Sequence, residues 1–576
     1  MTTVNLRAAL ETALETALAT AGASASSAAV RQAAKPEFGD YQANGVMGAA
    51  KRFKQNPREL AAAVVEAAEL DAVADLEIAG PGFINVRLKP EWLAATLNAT
   101  RAPLTPTPPP RTVVVDYSAP NLAKEMHVGH IRSTIIGDAL ARAFEALGHR
   151  VIRQNHVGDW GTQFGMLVAH LADADGAETG GDDGLADLET FYRAAKVRFD
   201  GDPAFAERAR RTVVGLQGGD PEIRAAWQRF IELSLAHCQS LYERLGTTLT
   251  PQDVMAESAY NDDLAGIIDA LKAKNLLQES DGAQCVFLDQ FKAKDGSVQP
   301  VIVQKSDGGY LYATTDLAAV RHRSERLAAD RVLYFVDARQ SLHFQQIFAV
   351  AAAAELSRPV VSFEHMPFGA MLGKDGRPFK TRAGGVVKLA DLLDEAEERA
   401  AAQLAERDTI TDPAERAHAA RVIGIGAVKY ADLSKNRTSD YIFDWDAMLA
   451  LEGNTAPYLM YAVARVHSLL RRAEVDFDAA LAFPIEAPEA GAEHQLAVAL
   501  LRLQEVVVQL LEDGLPHHLC SFLYELANRY MKFYEACPIL KSAEPLRSSR
   551  LALSARTAQT LTKGLDLLGI QTLDRM

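Results

Sequence analysis

At 576 residues the chain is long enough for about three to five domains, which excludes a single core. Hydrophobic residues at 48% and charged residues at 23% are globular proportions and exclude a disordered or fibrous chain, and no run approaches the roughly 18 apolar residues of a membrane helix. The net charge of −15 excludes a uniformly cationic surface, so any contact with nucleic acid has to come from a local basic face.

The first segment carries Glu11 and Glu15 where a secretory leader keeps an unbroken apolar core, so a cytoplasmic protein is expected. Leu6, Leu10, Leu14 and Leu18 recur at helical spacing and predict an amphipathic helix, while Phe83 to Leu88 alternates like a strand after a Gly-Pro-Gly turn. This small α+β module ends at Ala102 to Pro110, where five of nine residues are proline and a stiff linker is expected.

Beyond the linker, a strand from Thr112 to Tyr117, a helix from about His127 to Leu147 closed by Gly148, and a strand from Val151 form a strand-helix-strand unit. Such units build parallel sheets, whose ligands sit at the strand C-termini. Asp173 to Asp187 is acidic and glycine-rich without the order of calcium ligands, and reads as a solvated insertion. Strand-like segments at Val332 to Val336 and Val360 to Phe363 extend one large α/β domain with insertions to about Asp444. From Asp446 onward the pattern is helical, over Ala456 to Leu470, Leu496 to Leu511, Leu519 to Phe533 and Leu551 to Leu568, so a helical bundle is expected. The expected domains are 1–104, 105–445 and 446–576. Between Ala527 and Lys563 seven Lys/Arg face two acids, which reads either as an RNA-binding face or as a solvated helix surface. Cys238, Cys285, Cys520 and Cys537 lie far apart and read as reduced thiols.

The chemistry is concentrated between Asp116 and Gly165. His127 and His130, three apart, open the predicted helix where backbone N–H groups and the helix dipole favour an anion, and Gly129 between them leaves room for a flat base or ribose. As a bare pattern, H-x-x-H also suits surface histidines or two zinc ligands, although no spacing fixes His156 or Asp159 as further ligands. The whole run, with Ala119-Pro120-Asn121 before the histidines and Asn155 to Gly161 after them, resembles the arginyl-tRNA synthetases of the class I aminoacyl-tRNA synthetase family, and the likeness continues at intervals across nearly the whole chain.

That resemblance implies a Rossmann-type catalytic domain with insertions, an N-terminal module touching the tRNA D-loop and a helical anticodon-binding domain. It implies ATP with Mg2+, L-arginine and the tRNA for arginine as partners of a monomer without a membrane role, and no tightly bound metal. His127, Gly129, His130 and His343 would contact ATP. The second signature loop, Gly373 to Gly385, departs from the family: Thr381, Arg382 and Gly384 fit, but Pro378 replaces the first lysine, and Phe379 and Lys380 stand in for Met and Ser. Lys124, Lys380 and Arg382 are therefore candidates for the charge that neutralises pyrophosphate, with Lys374 and Arg377 readable as solvated charges. A guanidinium requires a carboxylate that accepts its forked donors, and Asp316, with Tyr312, matches that place. Thr315 is expected to cap the helix presenting Asp316. Asp116, Ser118, Asn121 and Gln340 match further arginine contacts. Phe83 and Asn85 match the D-loop contacts, and Tyr458 and Tyr461 would meet anticodon bases. Two other readings, an adenylate-forming ligase without RNA and a non-catalytic RNA-binding paralogue, fit the flanking domains and the intact histidines and Asp316 less well.

Overall fold

The computed structural model describes residues 5–100, 102–107, 109–174, 188–379, 387–406, 410–489 and 491–576. They form two compact units: residues 1–107 with 400–430 and 446–576, and residues 108–399 with 431–445. Among the described residues no helix is long and apolar enough to cross a membrane.

In the first unit Asn5 caps the Leu6–Thr20 helix by accepting from Ala8 N–H at 3.0 Å, and the four-leucine stripe is buried. An antiparallel sheet follows, made of β1 (Val30–Gln32), β2 (Tyr41–Ala43), β3 (Ala74–Ala79) and β4 (Phe83–Leu88) in the order β1-β2-β4-β3. Ile84, Val86 and Leu88 fill its core face by strand alternation. The predicted Leu496–Leu511 helix is two helices, Gly491–Leu500 and Leu503–Asp513, broken at Arg502. The buried Arg502 pairs with Glu505 at 3.1 Å and Glu525 at 2.8 Å; Tyr41 Oη donates to Glu505 at 3.0 Å and Gln32 Nε2 to Glu525 at 3.0 Å. These bonds join the N-terminal module to the C-terminal helices within the first unit.

The second unit is built on a parallel sheet of β5 (Thr112–Asp116), β6 (Arg150–Gln154), β10 (Arg331–Tyr334) and β11 (Ser362–His365) in the order β11-β10-β5-β6. β5 (Thr112–Asp116) and β6 (Arg150–Gln154) flank the Val128–Ala146 helix in sequence, and Val113 to Val115 are almost wholly buried, as a strand covered on both faces requires. A Cβ on Gly137 of that helix would lie 2.2 Å from Tyr117 Cβ, so glycine lets the helix lie tight against the chain leaving β5. Insertions follow: three helices between Leu188 and Leu245, and an antiparallel sheet of β7 (Leu277–Ser280), β8 (Ala283–Lys292) and β9 (Val298–Gln304). The chain then returns through the Tyr312–Arg321 helix to β10 (Arg331–Tyr334), the Ser341–Ala353 helix and β11 (Ser362–His365). The Tyr312–Arg321 helix starts a turn earlier than expected. Leu311 is its N-cap and Thr315 lies inside it, so Asp316 stands in the second turn. A two-stranded ladder joins β12 (Met371–Leu372) to β13 (Tyr441–Ile442). Beside it, the buried pair Arg132–Asp432, at 2.9 Å, ties the Val128–Ala146 helix to the segment leading into β13.

Candidate active site

The segments leaving the C-terminal ends of β5, β6 and β10 carry most of the residues singled out in the sequence, as the parallel topology requires. After β5, Ser118 and Ala119 take positive φ angles of 69° and 45°, and the chain then runs to the motif helix. His127 is its N-cap. Gly129 N–H donates to His127 Nδ1 at 3.0 Å, and His127 N–H donates to His130 Nδ1 at 3.0 Å. A neutral imidazole that accepts at Nδ1 carries its proton on Nε2, so both rings are set as Nε2–H donors. Their centroids are 4.0 Å apart. Burial, and next the proximity of His127, push His130 down to about 3, so it is neutral throughout the physiological range and donates without adding charge. Gly129 is needed by the motif itself, because a Cβ there would lie 2.7 Å from His127 Cε1.

A cluster of acidic side chains and histidines forms around Asp316. His343 Nε2 donates to Asp316 Oδ2 at 2.6 Å, while His156 Nε2 stands 3.9 Å from Oδ1. The resemblance implies an ATP contact for His343, and in the structure its ring is bonded to Asp316. His156 Nδ1 is 3.1 Å from the Met255 carbonyl, which can only accept, so Nδ1 carries a proton. The strand direction of β6 is prolonged by parallel pairing of Asn155 with Val254, and this brings Glu257 beside Asp159 and Asp316. Glu257 is the residue that sequence reasoning missed; no local pattern marks it, because its neighbours come from distant segments. Burial, then Asp159 and Asp316, push its carboxyl up to about 8. Ser258 N–H donates to Asp159 at 2.9 Å, and burial raises that carboxyl too. Tyr312 is 63% exposed, and burial of its ring end and the nearby Glu257 raise its hydroxyl. These acids and histidines are suited to a cation with several N–H donors.

Three of the expected arginine contacts have partners within the protein. Asp116 is buried and paired with Arg323 at 2.7 Å, a partner supplied by the π-helical turn His322–Arg326. The Ser118 hydroxyl is buried between Tyr242 Oη at 2.8 Å and Thr134 Oγ1 at 2.9 Å. Both therefore brace the loop after β5. Asn121 uses Oδ1 to accept from Ala123 N–H at 3.0 Å, fixing the turn before the motif. Gln340 is exposed at the N-cap of the helix carrying His343. Lys124 is exposed, with its ammonium 4.6 Å from the Tyr192 ring centroid. Lys380 and Arg382 lie outside the described residues. Phe379 just before them packs on Phe443 at 5.0 Å.

In the other unit, Phe83 is half-buried on the sheet face opposite the core. Asn85 is only 6% exposed, and its Oδ1 accepts from Gln42, its cross-strand partner, at 2.7 Å. Tyr458 Oη donates to Asn528 at 2.8 Å, and Tyr461 is 39% exposed beside Arg465, whose guanidinium is 4.4 Å from the Tyr534 ring centroid. Of the seven basic residues after Ala527, Lys532 and Lys541 are exposed, and the other five have partners within the protein. Arg529 pairs with Glu525, Arg547 with Glu544, Arg550 with the buried Glu493 and Lys563 with Asp566, and Arg556 donates to the Thr100 carbonyl.

Comparisons with known proteins match three stretches of the chain. Residues 95–445 match the family described as tRNA synthetases class I (R), catalytic domain; residues 5–88 match the arginyl tRNA synthetase N terminal domain, and residues 459–576 the DALR anticodon binding domain. The chain is 57% identical over 559 residues to the arginine–tRNA ligase of Hahella chejuensis, and 56% identical over 553 residues to that of Marinomonas sp. (strain MWYL1), in each case over 95% of both chains. Among solved structures it is similar to the arginyl-tRNA synthetase of Plasmodium falciparum, at 27% identity and a TM-score of 0.86 over 100% of both chains. It is also similar to that of Thermus thermophilus, at 25% identity and a TM-score of 0.83 over 99% of this chain and 100% of the other.

Proposed function

The chain belongs to the class I arginyl-tRNA synthetase family, and from that premise we propose how its own residues divide the work of the family's reaction. It is an enzyme that attaches L-arginine to the 3′ end of its tRNA at the expense of ATP, through arginyl-adenylate. The arginine carboxylate attacks the α-phosphorus, pyrophosphate leaves, and a terminal ribose hydroxyl, the 2′-OH by family resemblance, then attacks the adenylate carbonyl. Bound ATP would bring magnesium as the counter-ion of its phosphates.

The Nε2 protons of His127 and His130 meet the phosphate oxygens as charge builds on them, and the helix N-terminus adds its dipole. Asp316 and Glu257 accept the guanidinium, with Tyr312 covering it and Gln340 beside the pocket, while Asn121 and the braced Asp116–Ser118 loop shape the end that holds the ammonium and carboxylate. Phe83 offers a ring to an unstacked D-loop base, and Asn85 keeps its amide N–H donors for that base. Tyr458, Tyr461, Tyr534 and Arg465 form the aromatic and cationic patch for the anticodon. The observation that carries this reading is the cluster of Asp316, Glu257 and Asp159 at the same C-terminal strand ends as the histidine pair. ATP–pyrophosphate exchange with each amino acid tests it. Arginine alone should support exchange, and only with tRNA present; exchange driven by another amino acid would reject the assignment.

A pH dependence follows from Glu257. With its pKa raised to about 8, Glu257 is mostly neutral at pH 7, whereas a bound guanidinium favours the carboxylate. Arginine binding should therefore release close to one proton near neutrality, and affinity should rise as pH climbs from about 6.5 to 8.5. Calorimetry in buffers of different ionisation enthalpy measures this. Glu257→Gln should abolish both effects.

Because His130 adds no charge, the pyrophosphate needs a cation from elsewhere. Lys124, exposed before the motif, is our first choice, with Lys380 and Arg382 as the alternatives from the loop. Lys124→Ala should slow adenylate formation by about 10²-fold, and adding Pro378→Lys should recover part of the loss, because the two positions would serve one phosphate. Wild-type rates in single-turnover activation of Lys124→Ala would move the charge to the loop.

A further inference from the structure

Asp316 is held from one side. Its Oδ2 receives the His343 Nε2–H at 2.6 Å, whereas Oδ1 is 3.9 Å from the nearest histidine nitrogen, beyond hydrogen-bond length. The two residues belong to different helices. Asp316 rises from the second turn of Tyr312–Arg321, and His343 from the first turn of Ser341–Ala353 after β10, so the bond also locks those helices together at the pocket. That second helix is anchored beneath by Phe344, which packs 5.0 Å from Tyr334 of β10 and stacks 4.9 Å from His365 of β11. A carboxylate with one oxygen bound to an anchored donor cannot rotate freely about its last torsion. Its remaining lone pairs are thereby fixed in one plane, and a guanidinium is selective for carboxylate orientation because its donors form a planar fork.

We propose that His343 is a positioning residue of the arginine pocket: its Nε2–H sets the plane in which Asp316 receives the guanidinium. This rests on Asp316 being the guanidinium acceptor. It moves His343 from the nucleotide to the amino-acid side of the reaction, which separates two kinetic constants. Pre-orientation stabilises bound arginine and leaves ATP untouched, so the defect of a variant lacking the donor falls on the arginine KM.

The test is tRNA-dependent ATP–pyrophosphate exchange by the full-length enzyme carrying His343→Ala, His343→Gln or Asp316→Asn. His343→Ala should raise the arginine KM about tenfold or more and keep the ATP KM within about twofold. His343→Gln, whose amide nitrogen reaches the place of Nε2, should recover most of that loss. Should His343→Ala fail to fold by its thermal melt, His343→Leu fills the ring's volume without a donor and takes its place. A raised ATP KM with an unchanged arginine KM returns His343 to the nucleotide side and overturns the proposal. Equal damage to both constants without recovery by glutamine makes the residue merely structural and also overturns it. Asp316→Asn separates the premises: if it leaves the arginine KM unchanged, the pocket reading fails; if it raises that KM while His343→Ala does not, only the role of His343 fails.

Discussion

His130→Asn should lower the rate of adenylate formation by about 10²- to 10³-fold while changing the arginine KM by less than about threefold. Asparagine is the informative replacement because its side-chain oxygen falls near the place of Nδ1 and keeps the acceptor for His127 N–H, which binds His130 Nδ1 at 3.0 Å. The cap survives and the Nε2 donor is removed. Alanine removes both, and a lost N-cap partner alone costs about 1 kcal/mol of local stability, so a fall in rate with alanine would mix chemistry with fraying of the helix end. The His130 pKa of about 3 adds a second signature. Its imidazole is neutral on both sides of pH 7, so lowering the pH to 6 should neither rescue the variant nor create a break in the wild-type profile attributable to this residue. Single-turnover activation measured in the presence of tRNA checks both points, and an unchanged rate removes His130 from the transition state.

Asp316→Asn should raise the arginine KM by about 10²- to 10³-fold with little change for ATP, in line with the roughly 2–5 kcal/mol lost when one partner of a desolvated charge pair is truncated. The effect is large because of Glu257. With its carboxyl mostly protonated at pH 7, Asp316 carries most of the charge that faces the guanidinium before binding. Asparagine removes that charge and turns amide donors toward a cation that has only donors. Direct titration of arginine by calorimetry would read the loss, and equal affinity for both proteins would place the acceptor elsewhere.

The local parts of this architecture were legible in the sequence. The strand at Thr112, the helix after His127 and the strand near Val151 follow from hydrophobic spacing and from a cap that is itself part of the motif. The same holds for the four-leucine helix of the N-terminal module. What escaped was long-range. The partner of Asp116, Arg323, comes from a π-helical turn far along the chain that no local pattern marks. The bond between Asn85 and Gln42 depends on strand pairing across 43 residues. Glu257 has no motif at all, and only the pairing of Asn155 with Val254 brings it to the pocket. The apolar spacing from Leu496 to Leu511 continues through the break between Leu500 and Leu503, which periodicity alone does not register.

The network of Tyr41, Gln32, Arg502, Glu505 and Glu525 bears on how far this protein can be divided. An appendage that only touched RNA could be cut away at the proline-rich linker, leaving the rest intact and merely less selective. Here such a cut would strip hydrogen-bond partners from charged groups that are buried among the C-terminal helices, and would open the apolar surface around them to water. A shortened chain is therefore expected to suffer first in solubility and protease resistance, before any defect specific to tRNA recognition can be measured.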